Sequence, residues 1–262
     1  MTVNLVQYEA TVRRLDSGLA ELSRLVDRLP AVAAAAAGRW YMTDAMAHSL
    51  IRLSGMLAGA GAHAVNQVRD LMKGAAAPIL LISDIRTWGD VRGVATTFVG
   101  ELQPAALSVD YYWKGGAAEA YKSVIPAHTA AAARIGVMAD KTQTALGWSV
   151  SAALAFYAGI LVVVIQLIVA FVGVLAILGT VVFSWAGLAL ALKEASVGYV
   201  EIAALTALLA TAIGTQMVQM GTLHSEAADA SAFPSGHWPG SHTDRYSDAT
   251  VTDGDADWSI ER

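Results

Sequence analysis

The sequence predicts an all-α membrane protein in which helical hairpins form a four-helix bundle, followed by a transmembrane helical hairpin of two or three spans and a disordered acidic tail. The first observation behind this prediction is compositional: of 262 residues, 55% are hydrophobic and 15% charged, and mean hydropathy is +0.49, well away from the balance of a soluble domain. The second is where that excess lies. Thr142 to Leu192 is a run of 51 residues without Asp, Glu, Lys or Arg. A helix needs about 20 apolar residues to cross roughly 30 Å of hydrocarbon, so the run is long enough for two crossings. The third is a helical period in the apolar residues that precede it.

Leu5, Tyr8, Val12, Leu15, Leu19, Leu22, Val26 and Leu29 are spaced alternately by three and four residues, the seam of a helix that seeks a partner helix. Arg13, Arg14, Asp16, Glu21, Arg24, Asp27 and Arg28 fall off that seam and stay in water. Pro30 offers a boundary, because the residue before a proline is biased away from the helical region, with Ala33 to Ala37 as a continuation. Thr43 is an N-cap with Asp44 in the first turn, at the positive end of the helix dipole. Met46, Leu50, Leu53, Leu57, Ala60, Ala64, Val68 and Leu71 mark a second amphipathic helix that folds back on the first. Gly55, Gly59 and Gly61 lie on it, where a facing glycine permits close approach. Residues 1–73 are thus one hairpin and 74–83, with Pro78, a linker.

Residues 84–141 read as a second hairpin. Thr87 and Asp90 have capping-box spacing, and Val91, Val94, Ala95, Phe98, Leu102, Ala105 and Val109 follow at helical period. Pro104 ends or kinks that helix. Asp110 to Gly116 breaks the pattern, and Tyr121, Val124, Ile125, His128, Ala132, Ile135 and Met138 begin a helix that heads for the uncharged run, with Pro126 as a kink. Residues 142–222 form the membrane region, divided near Val172-Gly173 into Trp148–Phe171 and Val174–Leu192. Ile202 to Gly221 is either a third crossing or a helix lying along the bilayer. Arg134 and Lys141 before the run place the bundle on the cytoplasmic side. Two crossings, the arrangement favoured here, keep the tail on that side, and three reverse it.

The tail, 223–262, carries eight acids and two arginines from His224 onward, a net −6 that leaves +1 for the rest. It is poor in aliphatics and reads as disordered. No basic stripe of the kind that binds nucleic acid is present. The chain has no cysteine, which removes disulfides and thiolate metal sites, and Met1 to Leu5 lacks the start of a secretory signal. No P-loop, His-Glu-x-x-His pair, G-x-S-x-G elbow or phosphate-binding glycine turn occurs, so neither enzyme chemistry nor a cofactor is expected. His48, His63 and His128 read as core or boundary residues, and His224, His237 and His242 as solvated tail residues rather than metal ligands. Glu201, at the edge of an apolar stretch, is either an intramembrane acid facing a polar path or the mark of a helix end.

Trp113-Lys114-Gly115, followed by Ala117, Ala118 and Tyr121 and set between two amphipathic helices, resembles the turn of the W-x-G superfamily, the ESAT-like proteins of actinobacterial type VII (ESX) secretion. The resemblance covers 83–141. It implies a hairpin turned on Gly115 with Trp113 at its end, a pairing of this hairpin with the N-terminal one, whose turn holds Trp40, and association with a W-x-G-type helical partner or a second copy. It further implies a non-enzymatic role at or through a type VII system in the inner membrane, or export by it. None of the eight tyrosines has an acid four positions on, the spacing used in the family's export signals. Two other classes fit the same residues: an α-helical pore former that hides an apolar hairpin until it meets a bilayer, and a small holin-like channel centred on Glu201.

Overall fold

The computed structural model describes residues 5–107, 113–179, 185–229, 231–240 and 258–260. Among them the chain is all-α apart from one short ladder. The helices are α1 (Leu5–Ala37), α2 (Asp44–Met72), α3 (Ala77–Glu101), α4 (Gly116–Gly179) and α5 (Trp185–Ala227). Strands β1 (Trp113–Gly115) and β2 (Trp258–Ile260) pair antiparallel, with Trp113 opposite Ile260.

Local chemistry sets the helix boundaries. Thr43 caps α2 through its hydroxyl, which accepts from the Met46 N–H at 3.3 Å, and Asp44 stands in the first turn, as expected. Pro30 lies inside α1 without ending it. The Thr87–Asp90 capping box does not form: Thr87 is in mid-helix, its hydroxyl donating to the Ser83 carbonyl at 3.3 Å. The helix starts ten residues earlier, at Ala77. Pro78 therefore sits in its first turn, where a missing N–H costs no helical bond, and the expected linker shrinks to the turn at Gly74–Ala76. The end of α3 at Glu101 comes just before Pro104. The division of the apolar run at Val172-Gly173 is not observed either. α4 passes through it for 64 residues, because one glycine costs only about 1 kcal/mol of helix propensity and no proline or polar turn adds to it. Ile202 to Gly221 belongs to the 43-residue α5, which reaches past the expected tail boundary at 223.

The chain divides into two compact units, Met1–Leu81 with Ser149–Gly214, and Ile82–Trp148 with Thr215–Arg262. The two sequence-predicted hairpins fall into different units, so neither unit contains the expected four-helix bundle of both. In the first unit, α1 and α2 run antiparallel: Tyr8 meets Ala75, and Val26 meets Gly61. The second unit packs α3 against residues 116–148 of α4. The Gln143 amide donates to the Ile85 carbonyl at 2.9 Å, Arg92 pairs with Asp140 at 3.2 Å, and Gly136 faces Ala95 and Thr96.

Candidate functional site

In the first unit the uncharged run of α4 carries a seam of its own. Tyr157, Ile160, Val164, Leu167, Phe171, Val174 and Leu178 are all buried, spaced alternately by three and four residues. α1 presents the matching seam. Tyr8, Leu15, Leu19, Leu22, Val26 and Leu29 are buried in the same core, Val12 packs at its margin, and Leu5 is half-buried at the helix start. Ala33 and Ala36 extend the seam beyond the predicted end at Leu29, and Leu25 widens it. α2 adds Leu50, Leu57, Ala64 and Val68, with Ser54 buried among them. The Ser54 hydroxyl is satisfied by the Leu50 carbonyl one turn earlier, which makes its burial inexpensive. Such three-and-four spacing on each helix is what knobs-into-holes packing requires.

Specific contacts fix the register. The Tyr8 hydroxyl donates to the Ala75 carbonyl at 2.6 Å, and the Tyr157 hydroxyl to the Leu71 carbonyl at 3.0 Å. These two phenols satisfy carbonyls in and just after the last turn of α2, and their rings meet edge to face with centroids 5.9 Å apart. Burial first, and the neighbouring Tyr157 second, push the Tyr8 phenol above its ordinary pKa. At the other end Arg39, just past α1, donates to the Leu178 carbonyl at 2.8 Å, in the last turn of α4. Between them Gly61 sits where an added Cβ would lie 2.5 Å from Phe171 and 2.6 Å from Val26. It is the glycine of the α2 trio that allows close approach, since Gly55 and Gly59 face open space. From α5, Ile202 is fully buried in this core, and Leu205 packs over Gly159.

The opposite face of α4 is bare. Val162, Ile165, Val169 and Val172 are 54, 51, 66 and 48% exposed and continue as a stripe from Ala158 to Ala176. The uncharged run is thus covered on one side by a hairpin whose own outer face is charged and open on the other. Among the described residues two helices are long enough and contain a stretch apolar enough to cross a membrane: α4, within Ala118–Gly179, and α5, within Val200–Ser225.

The other sequence-predicted residues are less concentrated. Gly115 has φ +108°, a conformation that favours glycine, immediately before α4. Trp113 contributes backbone to β1, and its side chain lies outside the described residues, as do Asp110 to Tyr112. Tyr121 is 37% exposed. Trp40 lies in the turn between α1 and α2 and is 94% exposed. His48 and His63 are exposed rather than in the core, because they lie off the α2 seam. Glu201 is half-buried within α5, beside Ile202 and not at a helix end. His128 is half-buried and takes a partner from the tail: the Trp238 indole N–H donates to its Nδ1 at 2.6 Å. Nothing in the Ser- and Asp-rich composition there singled out Trp238. His242 and most of the acidic tail lie outside the described residues. Among the described residues no cluster of His and acids is placed to hold a metal ion.

Comparison with known protein families, with curated proteins and with solved structures finds no match to this chain.

Proposed function

We propose that this chain is a non-enzymatic, membrane-inserting helical protein that stores its membrane hairpin sheathed by its own N-terminal hairpin, in the manner of an α-helical pore former. The observation that carries the reading is the shared core in which the seams of α1 and α2 occupy one face of the uncharged part of α4. This packing and a spanning α4 exclude each other. α1 and α2 hold twelve Asp, Glu, Lys and Arg side chains, and taking such groups to mid-bilayer costs about 2.5–3.5 kcal/mol each on insertion scales. The hairpin must therefore leave α4 when α4 enters lipid. α4 keeps its apolar cover in the exchange, because acyl chains replace the seams of α1 and α2 on its buried face, and gives up only the Tyr157–Leu71 and Arg39–Leu178 hydrogen bonds. Its bare stripe from Ala158 to Ala176 spans roughly 27 Å at 1.5 Å per residue, close to the hydrocarbon thickness.

The test begins with the full chain purified without detergent and mixed with anionic liposomes. A soluble form that moves into the vesicle pellet, resists high-salt washing and releases trapped dye supports the proposal. A chain that never populates a detergent-free soluble form, or that salt strips from the vesicles, overturns it.

A second reading is favoured by the positive φ of Gly115: the 83–141 segment as a W-x-G-type hairpin that associates with a helical partner, or with a second copy, at a type VII secretion system. The readings meet in one step, since release from α4 leaves the α1 and α2 seams available to a partner helix. Co-purification of such a partner on the 83–141 segment, lost on Gly115→Val, supports this second reading. Partner capture that ignores Gly115 removes it.

A further inference from the structure

Trp238, in the chain that follows α5, is held by its edges within the second unit. Its indole N–H points at His128 Nδ1, 2.6 Å away, with the two rings only 29° from coplanar and their centroids 5.9 Å apart. Phe98 of α3 meets the indole at 6.0 Å and 68°, and Phe233 flanks it at 6.2 Å. In this position Trp238 forms one wall of an apolar groove of about 660 Å3, whose other walls include Val91, Val94 and Phe98 of α3 and Ala132 and Ile135 of α4. No polar atom of the lining reaches the groove surface. The same stretch of chain is tied down a second time by the Arg134–Asp229 ion pair at 3.5 Å.

We infer that His128 and Trp238 form an acid-sensitive latch: it holds Trp238 of the Ser231–Gly240 segment against the walls of the apolar groove while His128 is neutral and releases it, baring those walls, when His128 takes a proton. The indole N–H can only donate, so the imidazole nitrogen that faces it must present a lone pair. An imidazolium carries N–H on both nitrogens, and protonation turns the contact into donor against donor. The near-coplanar arrangement removes the usual compensation. A cation gains from the face of an indole ring, whereas here it would lie at the positive edge.

Among the described residues, the other charged and titratable groups around the latch do not supply this dependence. The Asp229 carboxyl is held below the usual carboxylate range by hydrogen bonds from Ser231, the backbone one at 2.9 Å, and by Arg134, so the second tie stays ionised through mildly acidic pH. Asp90 on α3 lines the groove without a polar atom at its surface. On α4, Glu119 and Lys122 pair with each other at 2.9 Å. His237, next to Trp238 in sequence, serves as the control. The inference goes beyond membrane insertion and stands independently of it.

The test is a titration of the full chain from pH 8 to pH 5, following the 15N-indole resonance that disappears in Trp238→Phe, together with uptake of a fluorescent apolar dye. The expected result is one step in both signals within this range, with dye uptake rising at least several-fold on the acid side. In His128→Gln the amide oxygen accepts at every pH, so both signals stay fixed. In Trp238→Phe dye uptake is high and independent of pH. His237→Gln titrates like the natural chain. A wild-type resonance that does not move, a step of equal size in His128→Gln, or a step that disappears in His237→Gln overturns the latch.

Discussion

One added methyl group at Gly61 probes whether α4 is packed into the α1–α2 hairpin. An ideal Cβ there would stand 2.5 Å from Phe171 Cζ and 2.6 Å from Val26 Cγ2, about 1 Å inside ordinary van der Waals contact. Neither neighbour yields cheaply. The Phe171 ring is stiff and fully buried, and Val26 is β-branched with one preferred rotamer in a helix. Overpacking of this kind costs about 1–3 kcal/mol. Exchanging glycine for alanine in a helix returns about 0.5–1 kcal/mol, so Gly61→Ala should be destabilising by a net of up to about 2.5 kcal/mol. Gly59→Ala, on the same helix but facing open space, receives the propensity gain alone and should stabilise by about 0.5–1 kcal/mol. The difference between the two variants isolates the contact. Urea unfolding of the full chain, followed by far-UV circular dichroism, measures both. Phe171→Ala in the Gly61→Ala background should remove the part of the extra cost that comes from the ring, leaving the part that comes from Val26. Equal effects at positions 59 and 61, or no coupling between 61 and 171, would refute the packing of α4 against α2.

Two further outcomes separate storage from insertion. Val169→Arg alters a 66%-exposed position, so stability of the soluble form should change by less than about 0.5 kcal/mol. Membrane partition should fall by about 2.5–3.5 kcal/mol, read as the fraction in a vesicle flotation assay; unchanged partition would remove α4 from the bilayer. The raised pKa of the Tyr8 phenol sets a pH dependence of known sign. Because the folded value lies above the unfolded value of about 10, the stabilisation is complete below pH 10 and is lost as pH rises through the folded value. Tyr8→Phe should cost about 1–3 kcal/mol at neutral pH by leaving the Ala75 carbonyl without its donor, yet lose less than the natural chain between pH 9 and 11.5. Parallel pH profiles for the two would exclude Tyr8 as the titrating group.

Much of this arrangement is legible in the sequence, and the parts that are not share a cause. The α1 seam and the Thr43 cap follow from residue spacing alone, because a 3.5-residue apolar repeat and a hydroxyl ahead of an acid each have one helical meaning. A seam declares that a partner is needed without naming it. The partner on α4 was hidden because that segment is apolar on every face, so the repeat from Tyr157 to Leu178 does not stand out against Val162, Ile165 and Val169. Pro78 and Gly173 misled in the same way. Each breaks helices in general, but a proline in the first turn loses no bond and a single glycine inside a long apolar helix loses too little. Trp238 is invisible to any periodicity, since its role depends on His128, 110 positions away.

The proposed release of the α1–α2 hairpin from α4 before α4 enters a bilayer is tested by a reversible cross-link across that contact. The chain has no native cysteine. A Cβ built at Gly18 lies 3.1 Å from Val164 Cγ1, near the roughly 3 Å from one Cβ to the far sulfur when the S–S bond is about 2.05 Å. Gly18→Cys with Val164→Cys should therefore oxidise to a disulfide that pins α1 to α4. The oxidised protein is predicted to stay soluble and leave dye-loaded vesicles intact, and reduction should restore insertion and release to the level of the reduced single-cysteine variants. Insertion of the oxidised form at the same rate and extent as the reduced form would contradict the account.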